Sequence, residues 1–190
     1  MRTQPTETYV VIVVPPKHIQ TLVHDFRNHF KDTSEYKLPP HITLLPPFQL
    51  APTHGKELIG VIRSIAAATS PMDALLTHTG VFENRPPVWF CGFSPSTTRS
   101  LRSLHKKLLK AIVALHSEHT LAYKTGPKHN VFNPHMTLIE KVPKANKKSI
   151  AALIEPLIHP FSFAVGSIEL YKRQSDDKTY TRVQKFTLRG

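Results

Sequence analysis

The strongest constraint on this chain is a five-residue pattern that occurs twice. Pro40-His41-Ile42-Thr43-Leu44 returns as Pro134-His135-Met136-Thr137-Leu138, identical at four of five positions and about half of the 190 residues later. Of the 12 histidines, only these two are followed by threonine two positions on. In a β-strand, residues i and i+2 point to the same face. His41 would therefore project with Thr43, while Ile42 and Leu44 turn toward apolar packing. His135 and Thr137 repeat the arrangement, with Met136 and Leu138 behind them. If the two halves pack about a pseudo-twofold axis, two imidazoles and two hydroxyls converge on one cleft.

The rest of the chain reads as interleaved strands and helices. Thr8–Val14 is a Val- and Ile-rich strand closed by Pro15-Pro16. Ile19, Leu22, Val23, Phe26 and Phe30 recur at helical spacing. Pro39-Pro40 breaks the chain before a strand at His41–Leu45, which Pro46-Pro47 is expected to stop. A second helix carries Leu58, Ile59, Ile62 and Ile65, with Thr53 as its expected N-cap. Met72–Glu83 and Pro87–Phe93 are strands joined by Asn84-Arg85-Pro86. A long helix is predicted from about Ser96 to His116, and a strand at His135–Glu140. A short helix follows over Ile150, Leu153, Ile154 and Leu157. Strands at Phe161–Arg173 and Tyr180–Leu188 close the chain around Ser175-Asp176-Asp177-Lys178. Several neighbouring strands are separated only by turns, which favours antiparallel pairing and an α+β class over a doubly wound parallel sheet.

Composition narrows the function classes. Lys and Arg number 25 against 13 Asp and Glu, a net charge of +12 with a pI near 10.0, and such a surface attracts phosphates. Hydrophobic residues at 40% suffice for a packed core in one domain. A single cysteine, Cys91, excludes an internal disulfide and a multi-cysteine metal site, consistent with a reducing compartment. Neither a signal-peptide pattern nor an apolar run of membrane-spanning length is present, so a cytoplasmic protein with no membrane partner is expected. There is no G-x-G-x-x-G and no Walker loop among the 7 glycines, which removes the main support for dinucleotide and P-loop readings.

Two histidines suit metal-free phosphodiester chemistry. A neutral imidazole takes a proton from the attacking oxygen and a protonated one gives a proton to the leaving oxygen. An unperturbed pKa near 6.5 lets both forms coexist near neutrality. The threonine hydroxyls can hold the non-bridging phosphate oxygens between the rings.

The paired His-x-Thr motifs, their half-chain spacing and the order of elements resemble the 2H phosphoesterase superfamily, which includes 2′-5′ RNA ligase-like proteins and cyclic nucleotide phosphodiesterases. The resemblance spans nearly the whole chain. It implies a bilobal α+β fold over residues 1–190, with two pseudo-symmetric antiparallel sheets flanked by helices and a cleft between the lobes. It also implies His41 and His135 as the acid–base pair, Thr43 and Thr137 as phosphate-binding hydroxyls, no cofactor and no metal. Family members tend to carry an aromatic residue near the last strands that holds a nucleotide, and Tyr171 and Tyr180 are the candidates here. The expected substrates are RNA ends, oligonucleotides or small cyclic nucleotide phosphates acted on by a monomer. Hydrolysis of a 2′,3′-cyclic phosphate is the leading reaction. Ligation of 2′-5′ junctions, and a non-catalytic RNA-binding module, are the alternatives. The near-symmetric motifs do not separate acid from base.

Other residues carry blander readings. His116 and His119 could share a helix face, but no His-Glu-x-x-His occurs, no carboxylate except Glu118 completes a set, and frayed helix-end polarity is the better account. His41 and His135 could bind zinc as a pair, but neither motif brings a third strong ligand. Cys91 in Val88-Trp89-Phe90-Cys91-Gly92-Phe93 reads as a buried core thiol. The Ser94 region is not a nucleophile elbow, because Ser96 stands where a glycine is needed. Phe48 and Phe132 flank the motifs and could stack on a base, with core packing equally open to them. Lys172 and Arg173 could meet phosphate, although solvated strand-end charges are commonplace. Arg85 sits in a turn that could overhang the cleft.

Overall fold

The computed structural model describes residues 7–84, 86–115, 132–141, 150, 152, 161–174 and 179–190. Its elements are β1 (Glu7–Val13), α1 (Lys17–His29), β2 (Ile42–Leu50), α2 (Gly55–Ala67), β3 (Met72–Phe82), β4 (Val88–Phe93), α3 (Pro95–Leu115), β5 (Met136–Ile139), β6 (Phe161–Val165), β7 (Ser167–Gln174) and β8 (Thr181–Thr187). The strands form one eight-stranded sheet in the order β6-β3-β4-β5-β2-β1-β7-β8, with every neighbouring pair antiparallel.

The duplication read from the motifs is visible as two strand–helix–strand units, β1-α1-β2 and β4-α3-β5, each ending in a motif strand. The outer strands are exchanged. β3 follows the first motif but pairs with β4 of the second unit, and β7 follows the second motif but pairs with β1 of the first. The two expected sheets are thus two four-stranded halves of a single sheet. They are joined where the motif strands meet, at the pair Ile42 and Met136.

Three sequence expectations need correction. Strand β2 does not stop at Pro46-Pro47 but runs through to Leu50. Tyr9 faces Phe48 and Val11 faces Leu45, so Val10 alone opposes both prolines. This β-bulge accommodates two residues that cannot donate to a ladder. Thr53 is not an N-cap: it lies inside a 3₁₀ turn, Pro52–His54, and α2 starts at Gly55 without a side-chain cap. The expected strand Phe161–Arg173 is two strands broken at Gly166, because β6 pairs with β3 while β7 pairs with β1 and β8. One residue links an edge strand to the second strand from the opposite edge, so the sheet must curl back on itself. The expected helix around Leu153 to Leu157, the turn at Ser175–Lys178, Arg85, and His116, Glu118 and His119 lie outside the described residues.

One continuous core lies between the sheet and its helices. Ile19, Val23 and Phe26 enter it from α1, Leu58 and Ile62 from α2, and Leu101, Leu104, Leu108 and Ile112 from α3. Ile42, Leu44, Met136 and Leu138 supply the motif strands' share. Burying each such side chain is worth about 1.5–3 kcal/mol. A one-residue register slip would expose all four, so their burial fixes which face the histidines and threonines occupy.

Candidate active site

The Ile42–Met136 pair is the middle residue of each motif, so the local twofold relation between the motifs runs between these two residues. Continuing that antiparallel register by one residue sets His41 opposite Thr137 and Thr43 opposite His135. All four side chains then share the face opposite the core. The two histidines are diagonal neighbours, whose Cα atoms in such a ladder lie roughly 7–8 Å apart. The four motif residues thus flank the Ile42–Met136 pair.

Both imidazoles are oriented in the same way. His41 Nδ1 lies 2.7 Å from the carbonyl oxygen of Pro39, and His135 Nδ1 lies 2.8 Å from that of Asn133, in each case two residues upstream. A carbonyl can only accept, so both Nδ1 atoms carry hydrogen and both Nε2 atoms are left for chemistry. His41 Nε2 is 3.1 Å from Thr43 Oγ1, and in the neutral ring this nitrogen accepts the threonine hydroxyl.

The environments then diverge. Burial lowers the His41 pKa from its usual value of 6.5, the Pro39 carbonyl partly opposes this, and the charges of Arg27 and His135 lower it further. The neutral ring is therefore favoured at His41. His135 instead meets aromatic edges, with the Phe82 ring centroid at 4.9 Å and that of Phe90 at 5.5 Å, both T-shaped. Phe82 and Phe90 stack on one another at 4.3 Å. This packing requires Gly80: a Cβ there would lie 2.4 Å from Cζ of Phe90.

Phe82 and Phe90 are the aromatic residues missed by sequence reasoning, which points instead to Phe48 and Phe132. Phe48 is a core residue stacked with Tyr9, and Phe132 stacks on His105 at 4.1 Å. The available signal was strand parity, since Phe90 pairs with Thr137 across β4 and β5 and so shares its face.

On the other side, Pro39 borders a cavity of about 760 Å³ lined also by Lys17, Glu169, Tyr171, Arg182 and Lys185. Tyr171 is thus a cavity residue, and its hydroxyl donates to Glu169 Oε2 at 3.1 Å. Burial and the neighbouring Glu169 carboxylate push the Tyr171 pKa up to about 12, so it remains a donor. Tyr180 is not among the cavity's lining residues and lies 5.4 Å beneath the Arg173 guanidinium. Lys172 pairs with Glu7 at 2.9 Å. Cys91 is buried, and burial drives its pKa up to about 12, as expected of an inert core thiol. Among the described residues no group of three His, Cys, Asp or Glu side chains could hold a metal ion. No described helix is long and apolar enough to cross a membrane.

The family profile of the 2′-5′ RNA ligase superfamily matches residues 15–177. The chain belongs to that superfamily. A Geobacillus sp. (strain WCH70) protein named "Putative phosphoesterase" is 30% identical over 137 residues, 72% of this chain and 71% of its own length. A Geobacillus kaustophilus (strain HTA426) protein of the same designation is 28% identical and covers 96% of each chain. Apo LigT of E. coli superposes with a TM-score of 0.67 at 18% identity, covering 99% of this chain and 100% of its own. A Thermus thermophilus protein gives the same TM-score at 20% identity, over 96% of this chain and 98% of its own. These structures share the curled antiparallel sheet with flanking helices.

Proposed function

We propose that this superfamily member is a phosphoesterase that opens 2′,3′-cyclic phosphates of nucleotides or RNA ends with water, by histidine acid–base catalysis without a metal. The observation that carries this reading is the pair of His-x-Thr motifs on one face, both imidazoles fixed with Nδ1–H on a carbonyl and Nε2 presented. In this reading Thr43 and Thr137 hold the non-bridging oxygens. His41 Nε2 takes a proton from water as its oxygen bonds to phosphorus, and His135 Nε2–H gives a proton to the departing ribose oxygen. The product is a phosphomonoester with a free ribose hydroxyl. His41 is assigned the base because burial and the Arg27 charge favour its neutral form. The cavity beside Pro39, with its cations and the Tyr171 hydroxyl, is where the nucleoside would lie. LigT, a structural relative, has been solved with 3′-AMP, and Usb1 of Kluyveromyces marxianus with uridine monophosphate.

The test is incubation with a panel of 2′,3′-cyclic mononucleotides, cyclic-phosphate RNA ends and 2′-5′ dinucleotides in EDTA, with products read by mass. Mass gain of one water on the cyclic substrates is expected. Turnover that vanishes in EDTA and returns with a divalent cation would overturn the metal-free chemistry, and salt-sensitive RNA binding without turnover would favour a binding module.

A further inference from the structure

Each motif leucine is the extra residue of a β-bulge: β1 sets Ile12 against Thr43 and Val11 against Leu45, passing over Leu44, and β4 sets Phe90 against Thr137 and Trp89 against Ile139, passing over Leu138. The extra residue of a bulge is left out of the ladder, so neither leucine has a strand partner there for its carbonyl. Both carbonyls are nevertheless satisfied, by side chains. Arg27 Nε donates to Leu138 O at 2.9 Å and its Nη2 to Thr137 O at 3.3 Å. His105 Nδ1 donates to Leu44 O at 2.7 Å.

The two donors correspond to one another. Arg27 is the eleventh residue of α1 and His105 the eleventh of α3. Each is buried, at 8% and 6% exposure. Each lies flat on an aromatic ring just ahead of its own unit's motif, Arg27 at 3.3 Å over Tyr36 and His105 at 4.1 Å on Phe132. Each reaches out of its own strand–helix–strand unit to the motif strand of the other. Arg27 is reinforced by Asp32, which accepts the Glu140 amide at 2.9 Å, the Lys141 amide at 3.3 Å and the Tyr36 hydroxyl.

We propose that Arg27 and His105 are a matched pair of positioning residues. They give the bulged leucine carbonyls the hydrogen bonds the ladder leaves out, and so set the spacing and facing of the two His-x-Thr pairs. Neither touches the reacting atoms. The turnover arm of the test rests on the proposed acid–base reading, and the spectroscopic arm does not. Besides holding β5, Arg27 acts on His41 by its charge, together with His135 from the second motif. Asp32, Tyr36 and Glu140 are the titratable groups acting on Arg27 itself.

The experiment compares Arg27→Met, Arg27→Lys, His105→Phe and His105→Asn with the unaltered protein. Proton–nitrogen spectra of the imidazole rings are recorded through a pH titration, alongside kcat and KM on a 2′,3′-cyclic nucleotide. Arg27→Met is expected to raise the His41 midpoint, to move the His135 ring signals set by Phe82 and Phe90, and to lower kcat on the order of 10–10²-fold with little change in KM. Arg27→Lys keeps the His41 midpoint near that of the unaltered protein, but kcat stays low because an ammonium cannot bridge two carbonyls as a guanidinium does. His105→Phe keeps the stack on Phe132 and loses the donor, so kcat falls; His105→Asn restores a donor and recovers activity. Folded Arg27→Met and His105→Phe proteins with unaltered ring spectra and kcat would overturn the proposal. If Arg27→Met does not fold, undiminished kcat in Arg27→Lys overturns it. If the unaltered protein turns over no cyclic phosphate, the function proposal fails, and the ring spectra decide the positioning role on their own.

Discussion

The two halves of the site begin from nearly the same five residues and end in different surroundings. Around His41 the ring is half-buried, its Nε2 is engaged by Thr43, and the cavity beside Pro39 carries Lys17, Glu169, Tyr171, Arg182 and Lys185. Around His135 the neighbours are the edges of Phe82 and Phe90. The motif sets what is common: strand parity, the Nδ1–H bond to a carbonyl two residues back, and a hydroxyl on the same face. The flanking strands set what differs. In the first half the motif strand is followed outward by β1 and β7, which bring Glu169 and Tyr171; in the second it is followed by β4 and β3, which bring Phe90 and Phe82. Under the proposed reading, a symmetric scaffold divides the two proton transfers between chemically identical side chains through their surroundings, with desolvation and the Arg27 charge at His41 and an aromatic wall at His135.

The widest gap between the halves should appear when the leaving group is changed. On a 2′,3′-cyclic nucleotide, His41→Ala and His135→Ala should each lose on the order of 10²–10⁴-fold in kcat, as for removal of a general acid or base. On a p-nitrophenyl phosphodiester the departing phenolate needs no proton. His135→Ala should then recover most of its activity while His41→Ala stays inactive. Comparable recovery by both variants would erase the distinction between base and acid, and recovery by His41→Ala alone would reverse it.

A middle-sized effect is expected from the aromatic wall. Gly80→Ala puts a methyl group where Cζ of Phe90 lies, so the Phe90 ring must leave its place against His135. We expect kcat to fall by roughly tenfold, in line with a small displacement of a catalytic group. His41 ring signals should stay in place in the same protein. A shift of the His41 signals as large as that at His135 would mean that the halves are coupled more tightly than their separate walls imply.

These contrasts also show what is legible in the sequence. The motif pattern suffices for the face shared by His41, Thr43, His135 and Thr137, because period-2 alternation and apolar burial are local. The α+β class and the helix faces of α1 and α3 follow from periodicity in the same way. The exchange of β3 and β7 between halves is not legible, since nothing local says which strand a segment will pair with. That exchange is why Phe161–Arg173 reads as one strand, and why proximity in sequence favours Phe48 and Phe132 over Phe82 and Phe90. The prolines mislead in one place. Pro46-Pro47 looks like a stop but fits a bulge, while the bulges at Leu44 and Leu138, which nothing in the sequence announces, leave the carbonyls that Arg27 and His105 satisfy. A lone arginine on an apolar helix face and one histidine among 12 carry no signal until the strand opposite them is known.

The smallest expected effect concerns stability on acidification, and it too separates one part of the molecule from another. Burial lowers the pKa of His41, and it lowers that of His105, where the Leu44 carbonyl opposes the shift and Lys106 adds to it. In the unfolded chain both rings take up protons around the usual value of 6.5. The folded state thus binds fewer protons than the unfolded state below that pH. The contribution of these rings is complete above about 6.5 and is lost as pH falls, so unfolding becomes easier in acid. Urea midpoints measured between pH 7.5 and pH 5.5 should decline, and His105→Asn should decline less steeply because one of the two resisting rings is gone. An equally steep decline in His105→Asn would mean that the burial of these rings is not the source of the acid sensitivity.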